Sequence, residues 1–95
     1  MPRIALLPEA SQSLSFEAGE KSVELEITYV ARFGYFRVNA YDISDTKEVI
    51  TLGRSANPGV NMFSGVRGFG RLVMTGEQAT VENLGITAVL TWEAD

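Results

Sequence analysis

The segment SVELEITYV, residues 22–30, decides the fold class of this chain. Its apolar residues alternate with polar ones, so one face of the extended segment carries Val23, Leu25, Ile27 and Tyr29. A period of two with β-branched and aromatic residues predicts a half-buried β-strand. The segment YFRVNAYDI, residues 35–43, repeats the alternation after the short connection ARFG. Because Gly34 in that connection can take the positive φ of a tight turn, the two segments are predicted to form a hairpin.

Strand patterns continue on both sides of this hairpin. EVITLGRS (48–55), GRLVMT (70–75) and ITAVLTWEA (86–94) are predicted strands, and RIALL (3–7) and SLSFEA (13–18) are shorter ones. In the last strand the predicted core face carries Ile86, Ala88, Leu90 and Trp92. No segment of about 10 residues has the apolar spacing of a helix, although GEQATVENLG leaves a single helical turn open. We therefore predict a small all-β, single-domain sandwich or barrel over residues 1–95, with roughly six or seven mostly antiparallel strands and residues 1–8 as a candidate N-terminal arm.

Composition narrows the function classes. The chain has 95 residues with no cysteine and no histidine, which removes thiol chemistry, thiolate metal sites and the commonest general base. We therefore expect no catalytic residues, no metal and no cofactor. A net charge of −4 argues against nucleic-acid binding, which depends on phosphate contacts. No apolar run reaches the ~18 residues of a membrane helix, and MPRIALLPEASQ is too short for a secretory signal, so we expect a protein made in a cytoplasm.

One window differs from the rest of the chain. Residues 49–76 contain three arginines, six of the nine glycines and no acidic residue. Within it, RGFGRLVM resembles the aromatic strand of the RNA-recognition module, but Arg71 and Met74 stand where base-stacking aromatics are required. The glycine spacing also lacks the following helix of a phosphate-binding loop. These mismatches argue against both nucleic-acid and nucleotide binding.

Two interpretations of this window stay open at the level of sequence. The glycines let a long loop turn, and Pro58 with Gly59 is a predicted turn, as is Gly34 in the hairpin. Alternatively, the loop presents polar, aromatic and basic side chains to a protein partner, since aromatics and arginine are enriched at interfaces. The interface candidates are Asn61, Phe63, Arg67, Phe69 and Arg71. A carbohydrate- or ligand-binding domain that uses Tyr41, Trp92 and the arginine loop is the alternative function.

The order of these segments resembles a phage family. An apolar IALLPEASQSLSF arm precedes the hairpin LEITYVARFGYFRVNAYD, and the VITLG strand, the NPGVN turn, the GRLVM strand and the closing ENLGITAVLTW follow. The most specific parts are YFRVNAYD and NPGVNMF with RGFGRLVM. This order is similar to that of the small baseplate plug proteins of contractile-tailed phages and prophages, and the similarity covers nearly the whole chain.

The resemblance implies a structural component of the virion tail baseplate, near the hub and spike, without catalysis. It points to Pro58, Gly59, Asn61, Arg67 and Leu72 as shared positions. The implied partners are hub, spike or tail-tube components, with self-association left open, and neither nucleic acid nor membrane is implied. The resemblance also implies synthesis in the cytoplasm of a bacterial host.

Overall fold

The computed structural model describes residues 3–94, and within them the chain folds into seven strands without a helix. The strands are β1 (Arg3–Ile4), β2 (Ser11–Ala18), β3 (Lys21–Val30), β4 (Tyr35–Asp42), β5 (Glu48–Ser55), β6 (Arg71–Gly76) and β7 (Ala88–Glu93). One sheet has the order β1-β7-β6 and the other the order β2-β3-β4-β5, and all of these strand pairs are antiparallel. The prediction of an all-β, mostly antiparallel fold is confirmed. Across residues 3–94, no helix has the length and apolar character needed to cross a membrane.

The two sheets share one hydrophobic core, as in a β-sandwich. The hairpin of β3 and β4 contributes the predicted faces, with Leu25 opposite Ala40 and Ile27 opposite Val38, each at most 1% exposed. The other sheet adds buried side chains from β6 and β7, namely Leu72, Met74, Ala88 and Leu90. Each large apolar side chain buried here contributes about 1.5–3 kcal/mol relative to an exposed one, so this shared core is the main source of stability.

The last strand is shorter than its sequence pattern predicts. β7 begins at Ala88, and Ile86 is 63% exposed, so its predicted place in the core is wrong. The reason is a compact turn in which the carbonyl oxygen of Asn83 accepts hydrogen bonds from the backbone N–H groups of Ile86 and Thr87, at 2.9 and 3.1 Å. These bonds hold the chain in turns through residue 87, so the alternation of the strand starts two residues later.

The first described residues belong to this chain's own sheet. Arg3 pairs with Thr91 and Ile4 with Leu90, which makes β1 an edge strand beside β7. The connection from β1 to β2 is fixed by Gln12, whose side chain exchanges two hydrogen bonds with the backbone of Leu7, at 3.0 and 2.7 Å. The start of the candidate arm, residues 1–2, lies outside the described residues.

Candidate interface around the loop between β5 and β6

The segment between β5 and β6, residues 56–70, is here called the glycine loop. It begins with a turn in which Val60 N–H donates to the carbonyl oxygen of Asn57 at 3.3 Å. Pro58 occupies the second position of this turn and Gly59, with φ of 79°, the third, as a type II turn requires. Gly59 N–H then donates to the carbonyl oxygen of Met74 at 2.8 Å, so the turn is attached to the outer edge of β6.

Asn61 holds the middle of the glycine loop against β6. Its side-chain oxygen Oδ1 accepts two backbone hydrogen bonds, from Phe63 N–H and from Leu72 N–H, each at 3.0 Å. The backbone continues the attachment, because Met62 N–H donates to the carbonyl oxygen of Leu72 at 2.7 Å. Asn61, a predicted contact residue, therefore stabilises the fold of the loop.

Phe63 points into the core and not toward a partner. Its side chain is 1% exposed and lies edge-on to the ring of Phe69, with 6.3 Å between the ring centroids. The hydrogen bond that Asn61 makes with Phe63 N–H closes the local turn that directs this ring inward. A surface contact through Phe63 is therefore unavailable in this fold.

Phe69 and Gly70 close the loop against β7. The indole N–H of Trp92 donates to the carbonyl oxygen of Phe69 at 2.6 Å. Gly70 has φ of 78°, and a Cβ atom at this position would collide with the carbonyl oxygen of Glu93. The Phe69 ring is half-buried, with Lys21 Nζ 5.3 Å from its centroid. A glycine is required here because two backbone segments meet without room for a side chain.

An open cleft of about 270 Å³ lies at this end of the molecule. The β2–β3 turn forms one side, and Gly68, Gly70, Trp92 and Ala94 form the other. Arg67 precedes the cleft and is exposed, and Arg71 follows it and is also exposed, with Nη1 3.7 Å from Glu93 Oε2. Arg67, Phe69 and Arg71 are therefore sequence neighbours of the glycines that line the cleft, and the charged residues that line the cleft itself are Glu20 and Lys21.

The outer face of the four-stranded sheet carries a second polar cluster, around Tyr41. The Tyr41 hydroxyl donates to Glu26 Oε1 at 2.8 Å, and this bond lowers the pKa of Glu26 and raises the pKa of Tyr41. Lys47 lies 2.9 Å from Glu24 and 4.4 Å from the centroid of the Tyr41 ring, and the bond to Glu24 raises the pKa of Lys47. The polar groups of this cluster therefore satisfy one another.

Tyr41 and Trp92 do not form a common ligand site. Tyr41 lies on the outer face of its sheet, whereas Trp92 packs against Phe16 from the other sheet, with ring centroids 6.2 Å apart. Acidic residues do not gather into a group able to hold a metal ion anywhere in the described part of the chain. The ligand site that would combine Tyr41 with Trp92 is therefore not formed in this fold.

A comparison with protein families assigns this chain. The family model described as "Cyanophage baseplate Pam3 plug gp18" matches residues 1–95. The chain belongs to this family. The protein is accordingly a structural part of a phage tail baseplate, as the resemblance implied. A search among curated proteins finds no match.

Most of the positions that the resemblance points to stabilise the fold of this baseplate plug. Pro58 and Asn61 form bridges to Met74 and Val73 of β6, and the Leu72 side chain is fully buried. Arg67 differs from these, because it is exposed at the far side of the loop. Four of the five positions thus attach the glycine loop to β6, and Arg67 is the one directed to solvent.

Several large apolar side chains of the plug are exposed although the sequence pattern did not predict their exposure. Phe33 is 70% exposed in the β3–β4 turn, and Leu7, Val49, Leu52, Val60 and Ile86 are also exposed. The exposure of Phe33 could have been predicted from the sequence, because a residue directly before the turn-forming Gly34 lies at the hairpin tip, away from the core. Its exposure marks the hairpin tip as a second candidate contact point.

Proposed function

We propose that this plug works through protein–protein contacts with hub, spike or tail-tube components at the centre of the baseplate, and that it takes part in virion assembly after synthesis in the host cytoplasm. The observation that carries the proposal is the anchored glycine loop. Asn61 fixes its middle, and Trp92 fixes its end through Phe69. Residues 64–68 lie between these two anchors, and all of them except Val66 are exposed.

A fixed loop suits a contact role for a physical reason. Ordering a mobile loop on binding costs free energy for each side chain and backbone segment that becomes immobile. The backbone of this loop is already ordered, since Ser64 N–H donates to Asn61 O and Val66 N–H donates to Phe63 O, at 3.1 and 2.9 Å. Arg67 therefore stands on a preorganised support, and arginine is among the residues that dominate interface energies.

The charge of the loop region indicates the chemistry of its partner. The whole chain carries a net charge of −4, yet the glycine loop, residues 56–70, contains Arg67 and no acidic residue. Interfaces tend to place opposite potentials against each other. We propose that the partner surface is acidic where it meets this end of the plug.

The test is a binding measurement with purified baseplate partners. Arg67→Glu is expected to weaken binding by about 10-fold or more, because it reverses a charge at the contact. The matched control is Arg37→Glu, which makes the same charge change at an exposed position on the outer face of β4; it is expected to change binding by less than about 2-fold. Equal effects of the two variants would show that net charge, and not the loop, determines the affinity.

A further inference from the structure

The two sheets in residues 3–94 have four edge strands, and three of them are protected against pairing with another chain. β1 has only two residues, and β6 is covered by the bridges from Pro58 and Asn61. β5 pairs irregularly with β4, and Gly53 bends it with φ of 68°. Short length, coverage and irregularity are the usual means by which proteins prevent edge-to-edge association.

β2 has none of these protections. Its eight residues, SQSLSFEA, pair with β3 in continuous register and include no proline, glycine or basic residue. The exposed edge residues are Ser11, Ser13, Ser15 and Glu17. A long and regular edge of this kind is a template for a further strand.

The hydrogen-bond pattern shows which backbone groups of β2 point outward. Tyr29 N–H donates to Ala10 O, and Ile43 N–H donates to Ser22 O. Because these bonds alternate along an antiparallel ladder, the odd-numbered residues of β3 bond to β2 and the even-numbered ones to β4. The even-numbered residues of β2 therefore pair with β3, and the N–H and C=O groups of residues 11, 13, 15 and 17 face away from the sheet.

We propose that this edge pairs with β2 of a second copy of the chain, antiparallel, about a two-fold axis through Leu14. In this register Ser13 of one copy is opposite Ser15 of the other, and Ser11 is opposite Glu17. All four outward-facing residues of each copy then join the ladder. The two four-stranded sheets become one sheet of eight strands, an isologous interface of the kind that closes a dimer.

The side chains of β2 favour a second copy as the occupant. Glu17 is the one charged residue of the strand, and the antiparallel register places it opposite a serine and far from its own counterpart. On the core-facing side, Leu14 meets Leu14 of the second copy and lengthens the apolar row that Leu14 forms with Leu25 and Ala40. The strand is thus self-complementary in charge and in apolar pattern.

The first test is the solution mass over a range of concentrations, by chromatography with light scattering. We expect a species of about twice the 10.4 kDa of one chain. Ser15→Pro removes an outward N–H that β3 does not use, so it should give monomers, whereas Ser15→Ala keeps the N–H and should stay dimeric. The Ser13→Lys/Ser15→Lys variant blocks the edge without a proline and should also be monomeric. Thermal unfolding checks that each variant is folded.

The second test fixes the register by disulfide formation, which is clean because the chain has no cysteine. Residues opposite each other in a bonded pair have Cα atoms about 5.5 Å apart, within the range for a disulfide. Ser13→Cys mixed with a differently tagged Ser15→Cys should therefore give mainly the mixed disulfide. In Ser13→Cys alone the two Cα atoms are about 8 Å apart and should cross-link poorly.

A strictly monomeric wild-type chain, or equal cross-linking in all combinations, would overturn self-pairing through β2. Dimers that survive in both Ser15→Pro and the double lysine variant would do the same, because they would place the interface elsewhere. Neither result bears on the contacts proposed for Arg67, since that residue lies in the glycine loop and its binding test uses other baseplate proteins.

Discussion

The indole N–H of Trp92 donates a hydrogen bond to the carbonyl oxygen of Phe69 at 2.6 Å, across 23 positions of sequence. This bond joins β7 to the end of the glycine loop, directly before the close approach at Gly70. Phe16 packs on the other side of Trp92. One side chain thus connects the loop, the three-stranded sheet and the four-stranded sheet. Because its one hydrogen bond goes to the loop, we expect substitutions of Trp92 to loosen the loop more than the rest of the fold.

Trp92→Phe should lower the free energy of unfolding by about 1–3 kcal/mol, because the hydrogen bond to Phe69 and the five-membered ring of the indole are both lost. Denaturant titration followed by circular dichroism measures this change, and amide exchange should rise in residues 66–70. The control is Tyr35→Phe, which removes an aromatic polar group that makes no hydrogen bond within residues 3–94. An undiminished exchange protection of the loop in Trp92→Phe would contradict the anchoring role.

Asn61→Ala should destabilise the plug by about 1–3 kcal/mol, since Phe63 N–H and Leu72 N–H both lose their acceptor. Asn61→Asp keeps an acceptor oxygen in the same place and should retain most of the stability. Asn57→Ala, at an exposed position of the same loop, should change it by less than about 0.5 kcal/mol. Thermal unfolding ranks the stabilities of the three variants. Equal losses of stability in Asn61→Ala and Asn57→Ala would show that Asn61 does not hold the loop.

A comparison of Gly70→Ala with Gly68→Ala separates the cost of a positive φ from the cost of a steric clash. Both glycines have positive φ, 78° and 86°, so alanine costs about 1–2 kcal/mol at either position. At Gly70 the added methyl group also meets Glu93 O and the Trp92 ring, whereas at Gly68 it meets open space. We expect Gly70→Ala to be the more destabilising by about 1–3 kcal/mol in denaturant titration. Equal losses of stability in the two variants would mean that β7 moves away from the added methyl group at little cost.

The hairpin of β3 and β4 could be predicted from sequence because the alternation of a strand is local. Val23 and Phe36 face the core, and the polar residues next to each of them in the sequence are enough to predict this. The alternation misled at Ile86, where the hydrogen bonds to Asn83 hold the backbone in a turn. Periodicity identifies a face and does not fix the residue at which the strand begins.

The arrangement of the glycine loop could not be predicted in this way, because it depends on contacts distant in sequence. The Asn61 side chain bonds to Leu72, and Trp92 bonds to Phe69, yet no spacing rule connects either pair. Phe63 was therefore a plausible surface residue in the sequence and is a core residue in the fold. The exposed position of Arg67 agrees with the contact role predicted for it, which the binding measurement will test.

Acid should weaken the plug partly through Glu26 and Asp42. The hydrogen bond from Tyr41 holds the pKa of Glu26 below its ordinary 4.5. The backbone N–H of Ser44, at 2.9 Å, holds the pKa of Asp42 below its ordinary 3.8. In each case the folded state binds the proton less tightly than the unfolded state. The stabilisation is therefore present above the ordinary pKa and is lost as the pH falls through the lowered one.

Glu26→Gln separates the titration of Glu26 from the hydrogen bond, because glutamine still accepts from the Tyr41 hydroxyl but binds no proton in this range. The free energy of unfolding of this variant should fall less steeply than that of the wild type as the pH drops below 4.5. The control is Glu82→Gln, which makes the same chemical change at an exposed position in the turns before β7. Denaturant titrations at several pH values between about 2.5 and 6 measure the slopes. A wild-type slope in Glu26→Gln would show that the bond to Tyr41 does not favour the ionised carboxylate.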